Sequence, residues 1–307
     1  MRAHLERISV GLVFGALLAG LAAGQAGRRP SPTAGDGPRL MDRAVQMNVV
    51  AARESGAATP VTAKDIALYD GGMEQQVQTF AYDPTPARIV LLIDNSLSLR
   101  ADVEKLQQAT REFAYEIYEG DQVTVIGYDK NAEIIVDWTD DAKVIEKGLP
   151  AFRKQGDPLL FDALSAVIDE AMRPFSGSTR KRAVVLVADG LDRGSKTNFD
   201  AVLAELQRQD ITVYALQIPD RTGGALRRDR PKPAKVIQQL VEGTGGLILS
   251  AEEPREAAKA VCDELRKHRY VLGYRPTNVP TYETRRLLIV PNEGVTVRHK
   301  LKQPSGQ

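Results

Sequence analysis

An apolar run, Ile89 to Ile93, ends at Asp94 and passes through Asn95-Ser96-Leu97-Ser98 into an amphipathic helical pattern. A run of this length without a polar interruption reads as a parallel strand buried on both faces. Open α/β sheets place their ligands at the carboxyl ends of such strands, so Asp94, Ser96 and Ser98 converge on one turn at that rim. One carboxylate and two hydroxyls at alternate positions suit a hard cation such as Mg²⁺, which takes one or two carboxylates and keeps positions for water or an incoming group.

From Arg88 onward strand and helix patterns alternate, the signature of a sheet with helices on both faces. Leu99, Val103, Leu106, Phe113 and Ile117 recur at helical spacing before Gly120. Gln122 to Tyr128 reads as the next strand. Ala132, Ile134, Val136 and Trp138 alternate with polar residues, which predicts an antiparallel edge strand that Ile135 interrupts. Helices are expected over 141–149, 158–172, 199–208, 234–242 and 254–267, and a second fully apolar strand, Ala183 to Ala188, ends in Asp189. The fold class is therefore α/β: a doubly wound, mostly parallel sheet with one antiparallel edge strand, flanked by small β segments.

The termini read differently. Arg2 and Arg7 precede the apolar stretch Ile8 to Ala23 and a small-residue cleavage site, so residues 1–26 read as a secretory signal peptide. The alternative is an uncleaved membrane anchor, since that stretch approaches the shortest spanning length of about 17 residues. Residues 27–38 have a linker composition, 39–86 a small N-terminal β element, 87–267 the main domain, 268–302 a C-terminal β extension and 303–307 a frayed tail. Localisation is thus expected to be exported, periplasmic or secreted, with membrane association only if the first segment stays uncleaved. Cys262 is the only cysteine, which excludes an internal disulfide or a cysteine metal cluster and reads as a small core residue. Formal net charge is +1, so no global field argues for nucleic acid.

Asp94 and Asp189 end strands that should lie side by side, and so meet at one rim. With Ser96 and Ser98 they give an Asp-x-Ser-x-Ser signature and a downstream Asp-Gly, and here the sequence closely resembles a von Willebrand factor type A domain from Arg88 to about Lys267. Pro60 to Ile66, Asp70-Gly71-Gly72, Gln75 and Tyr270 to Tyr274 further resemble the flanks of bacterial exported proteins called VWFA-related, abundant in Acidobacteria. The resemblance implies a Rossmann-like fold and a metal-ion-dependent adhesion site. In such sites the first Asp, both Ser, a Thr from a second loop and a last Asp hold Mg²⁺ (or Mn²⁺ or Ca²⁺), and the partner supplies a carboxylate. Carried over, this assigns Asp94, Ser96, Ser98 and Asp189. Pro158 stands where the family reads Thr and offers no side-chain oxygen. Asp157 then has two readings: a third carboxylate on the ion, or a helix N-cap followed by Pro at the first helical position. Capping explains the pair without a metal and is favoured.

Arg221, Arg227, Arg228, Arg230 and Lys232 cluster between a strand and the next helix, hence near the same rim. A solvated charged loop is the plain reading; the sharper one is a basic loop that steers an acidic partner segment. Enzymatic readings fail on their motifs. Gly190 to Thr197 lacks the spacing of a phosphate-binding loop, since Ser195 intervenes before Lys196. Ser96 stands where a phosphatase of the aspartyl type needs its second Asp. Past the signal segment the only histidines are His268 and His299, both in the C-terminal β region, and no Gly-x-Ser-x-Gly turn exists. The sequence thus points to a non-enzymatic protein-binding module with no evident small-molecule substrate. A metal-free interaction protein of the same fold is the alternative, and a metal-dependent hydrolase a more distant one.

Overall fold

A computed structural model of the 307-residue chain describes residues 44–54, 59–177, 181–219 and 232–305. The signal segment, the linker and the four clustered arginines from Arg221 to Arg230 lie outside the described residues.

The central layer is a six-stranded sheet. Its strands are β5 (Arg88–Asp94), β6 (Gln122–Tyr128), β7 (Ala132–Thr139), β8 (Arg182–Ala188), β9 (Thr212–Gln217) and β10 (Ile248–Ser250), in the order β10-β9-β8-β5-β6-β7. All neighbours pair in parallel except β6 and β7. Ile89, Val90, Leu91, Leu92 and Ile93 are all fully buried, which is why the run lacks alternation. Burying each such side chain stabilises by roughly 1.5–3 kcal/mol. One face packs on α1 (Val103–Glu116), α2 (Ala142–Gly148) and α6 (Pro254–Lys267); Cys262 belongs to that core, and burial pushes its thiol well above the usual range. The other face packs on α3 (Leu160–Ala166), α4 (Phe199–Arg208) and α5 (Pro233–Thr244). The edge strand β7 runs antiparallel, and its register shifts between Val123 and Ile126 of β6 account for the interrupted alternation at Ile135.

Three local expectations need correction. The helix expected over 158–172 begins at Leu160, and its α-helical part ends at Ala166. Val167–Met172 then forms a π-helical turn and Arg173–Phe175 a 3₁₀ turn. Pro174 supplies the reason, because it lacks an amide hydrogen and its ring crowds the carbonyl four residues back, at Glu170. The helical pattern expected from Leu99 becomes a helix only at Val103. The tail expected from residue 303 is not frayed at its start: Gln303 is buried and pairs with Arg285.

The N- and C-terminal flanks build sheets together. β1 (Val45–Arg53) lies between β11 (Arg269–Tyr274) and β13 (Val295–His299), with β4 (Val77–Tyr82) outside β11. A second sheet orders β14 (Lys302–Gln303), β12 (Arg285–Pro291), β2 (Ile66–Asp70) and β3 (Met73–Gln75). Their shared core includes Met47, Leu68, Leu272 and Leu287. The flanking motif residues fasten this unit. Both carboxylate oxygens of fully buried Asp70 accept from Arg285 Nε at 2.9 Å, and Tyr274 donates to Asp70 at 2.9 Å. Gln75 accepts from the Thr277 amide at 2.8 Å, while Thr62 and Asp65 form a capping box.

Candidate metal centre

The register of the sheet places the rim. Asp94 pairs with Tyr128 of β6, and Ile93 with Val187 of β8, so Asp189 lies one residue beyond the end of the neighbouring strand. Both aspartates are buried. Both fold the following turn with one oxygen: Asp94 Oδ1 accepts from the Ser96 amide at 2.9 Å, and Asp189 Oδ1 from the Leu191 amide at 2.8 Å. Gly190 follows Asp189 because φ there is +85°, and a Cβ would stand 2.4 Å from the Pro233 carbonyl oxygen.

Asp94 Oδ2 is buried and has no hydrogen-bond partner. Burial, with a smaller contribution from the Asp189 charge, raises the Asp94 carboxyl to about 6, although the Ser96 hydrogen bonds oppose it. Fully buried Ser96 presents its hydroxyl 3.1 Å from that of Ser98. Beside them the Tyr128 phenol is buried, and burial followed by the charges of Asp94 and Asp189 holds its pKa well above the usual range. Sequence reasoning missed Tyr128 and also Asp129, buried at the end of β6, where its carboxylate accepts from the Asn131 amide at 3.0 Å. The signal was present, since β6 is a third apolar strand that runs directly into an acid.

Two further loops are stitched to this turn. The Leu97 amide donates to Gly156 O at 3.1 Å and the Gln155 amide to Asn95 O at 2.8 Å. Gly156 is left-handed, with φ +60°, and a Cβ there would press on Asp129 at 3.1 Å. The Arg193 amide donates to Pro158 O at 2.8 Å. Asp157 does not cap α3. The N-cap position is Leu159, and the first-turn amides of Phe161 and Asp162 donate instead to Asp192 Oδ1 (3.3 Å) and Ser195 Oγ (3.1 Å). The reason is that Pro158 stands outside the helix, with its carbonyl committed to Arg193. Asp157 is exposed and lies 3.6 Å from the Arg193 guanidinium. Asp162 accepts from the Lys196 and Thr197 amides, tying α3 to the third loop, which holds its carboxyl below the usual range against a desolvation that raises it.

This donor set fits a hard divalent cation in chemistry, with fewer oxygens than the sequence signature promises. Two buried carboxylates face one rim without a cationic side chain bonded to Asp94, and a partnerless buried oxygen is expensive unless something binds it. Among the described residues no three His, Cys, Asp or Glu side chains are placed to hold one metal, so Asp157 does not join Asp94 and Asp189 in this conformation.

A six-stranded, mostly parallel sheet with helices on both faces defines an α/β domain of the open-sheet class. Residues 89–191, about a third of the chain, match the family model for the von Willebrand factor type A domain. None of the curated proteins compared matches the chain. Among solved structures, it is similar to an aerotolerance-related membrane protein from Bacteroides fragilis, with 21% identity, a TM-score of 0.46 and coverage of 59% of this chain and 99% of that one. It is similar to proximal thread matrix protein 1 from the mussel byssus with a zinc-occupied MIDAS motif, at 17% identity and a TM-score of 0.47, covering 59% of this chain and 48% of that one. A von Willebrand factor type A protein from Catenulispora acidiphila gives 12% identity and a TM-score of 0.48 over 79% of this chain and 74% of that one.

Proposed function

We propose that this chain is an exported, non-enzymatic binding module that recognises a carboxylate of a partner protein through a divalent cation. The observation that carries this reading is the buried, partnerless Asp94 Oδ2 beside the Asp189 charge and the paired hydroxyls of Ser96 and Ser98. Asp94, Ser96, Ser98 and Asp189 would hold the ion, Mg²⁺ or Mn²⁺ by preference. When bound, the cation supplies a positive centre with an open position for an acidic side chain. Pro158 supplies no side-chain ligand, so the site is expected to be weaker than one with a threonine there. Export rests on the N-terminal signal pattern; among the described residues no helix is long and apolar enough to cross a membrane. Arg221, Arg227, Arg228 and Arg230 are proposed to speed the encounter with an acidic partner.

Calorimetric titration of Mg²⁺ and Mn²⁺ into the protein, beside Asp94→Ala and Asp157→Ala, tests the reading. Binding that is lost in Asp94→Ala and kept in Asp157→Ala supports it. No heat in any of the three overturns the cation bridge. The pairing of Asp157 with Arg193 and the proline at 158 favour one second reading, a metal-free interaction domain of the same fold. Partner capture that survives chelation would select it.

A further inference from the structure

A second concave site runs along the sheet face that carries α3, from the β6–β7 turn beside the rim to Trp138 and Phe175 at its far end. Between the edge strand β7 and the helical path from Leu159 to Phe175 a cleft of about 580 Å³ opens. That volume is typical of small-molecule sites. Its floor is Ile126 and Ile134, the latter 65% exposed. Ala166 and Ala171 line the opposite wall, and their small side chains keep it open. Trp138 and Phe175 form one end, edge to face at 5.1 Å between ring centroids.

Two acids stand at that end; the Arg88 guanidinium lies over the Phe175 ring, 5.3 Å from its centroid, and does not line the cleft. Glu170 lines the cleft, is exposed and makes no hydrogen bond or ion pair with any described residue. Asp137 lines it too, and its carboxylate takes only the Trp138 amide, at 2.7 Å. Arg173, one turn past Glu170, is committed to Asp169 and Glu205. Lys130 lines the opposite end, eight residues before Trp138 across the β6–β7 turn. At ~3.3 Å per strand residue, Ala132 and Trp138 stand about 20 Å apart, so Lys130 does not neutralise the acidic end. The π-helical turn puts Glu170 and Ala171 on this wall. Such turns are rare inside helices and concentrate at functional sites.

An aromatic corner beside carboxylates that pair with no described cation attracts a cation through the ring face and through charge together. We propose that this cleft binds a small organic cation with an apolar body, an alkyl- or aryl-ammonium, its charged end against Trp138 and Glu170 and its body over Ile134 and Ala166. The site is independent of the cation at the rim and does not rest on it.

Trp138 is the only tryptophan in the chain, so its emission reports this cleft alone. The test titrates the protein, in chelator, with benzyltrimethylammonium, with the uncharged isostere neopentylbenzene and with the anion phenylacetate. The expected result is a saturable change in Trp138 emission for the ammonium, matched by calorimetry. Glu170→Gln should weaken it by about fivefold or more, since a ring and a carboxylate share the recognition. Ala166→Phe, which fills the cleft, should abolish it. Glu170 is exposed and its variant will fold, so that arm decides if Ala166→Phe does not. No saturable response to the ammonium, equal binding of phenylacetate or of the uncharged isostere, or an unchanged affinity in Glu170→Gln would each overturn the assignment.

Discussion

Asp94→Asn should make the cation-free protein more stable while destroying its cation site. Asp94 is fully buried, its Oδ2 has no partner, and burial with the Asp189 charge raises its carboxyl from 3.8 to about 6. That rise corresponds to roughly 3 kcal/mol of penalty on the charged form. The sign follows from proton linkage. Between pH 3.8 and about 6 the folded protein holds a proton that the unfolded chain has lost, so stability falls as pH rises through that window and the full penalty stands above it. Asparagine carries no charge, keeps the oxygen that accepts from the Ser96 amide, and puts a donor where the partnerless oxygen stood. For a chain of this size roughly 2–3 kcal/mol raises the melting temperature by about 3–5 °C. Thermal unfolding in chelator at pH 7.5 would read it, repeated near pH 4, where the two proteins should converge. Added Mg²⁺ should raise the melting temperature of the wild type only, since a ligand of the native state stabilises it by mass action. An Asp94→Asn protein that melts at or below the wild type in chelator at neutral pH would refute the reasoning.

Other predictions test the frame around the site. His299 is buried, accepts from the Ile289 amide through Nε2, and burial holds its pKa below the usual 6.5. The unfolded chain therefore binds more protons just below 6.5, so stability should fall as pH falls through that window, with a slope of at most ~1.4 kcal/mol per pH unit; urea titrations at several pH values should lose this component in His299→Gln. Gly190→Ala should cost about 2–4 kcal/mol, because a left-handed φ and a Cβ 2.4 Å from the Pro233 carbonyl oxygen act together; a loss near zero would mean the Asp189 turn is not held as described. Asp70→Ala should cost about 3–5 kcal/mol by leaving Arg285 buried without a counter-charge. Much of that loss should return in the double variant with Arg285→Met, measured by chemical unfolding.

What the sequence reveals is what neighbouring residues determine. Ile89 to Ile93 and Ala183 to Ala188 are buried on both faces by helices, so their uninterrupted apolar text identifies parallel strands and sets Asp94 and Asp189 at one rim. The edge position of β7 is legible for the opposite reason, since only one face is covered. Capping at α3 is not legible locally. Asp157 and Pro158 spell a helix start, yet the first-turn amides find Asp192 and Ser195, more than thirty residues on, and the carboxylate of Asp157 turns to Arg193. The widening of the helix before Pro174 could be read from that proline, whereas the cleft beside it depends on how β7 passes it. Tyr128 and Asp129 were visible as one more apolar strand ending in an acid. Their place beside Asp94 becomes evident only through the register between β5 and β6.

The most direct test of the cation bridge is the anomalous scattering of manganese in crystals of the protein grown with Mn²⁺. The prediction is a single strong peak within bonding distance of Asp94, Ser96, Ser98 or Asp189, completed by waters and absent from Asp94→Asn crystals. A fully ordered rim with no peak at saturating Mn²⁺, or a peak bound elsewhere while this rim stays empty, would contradict it.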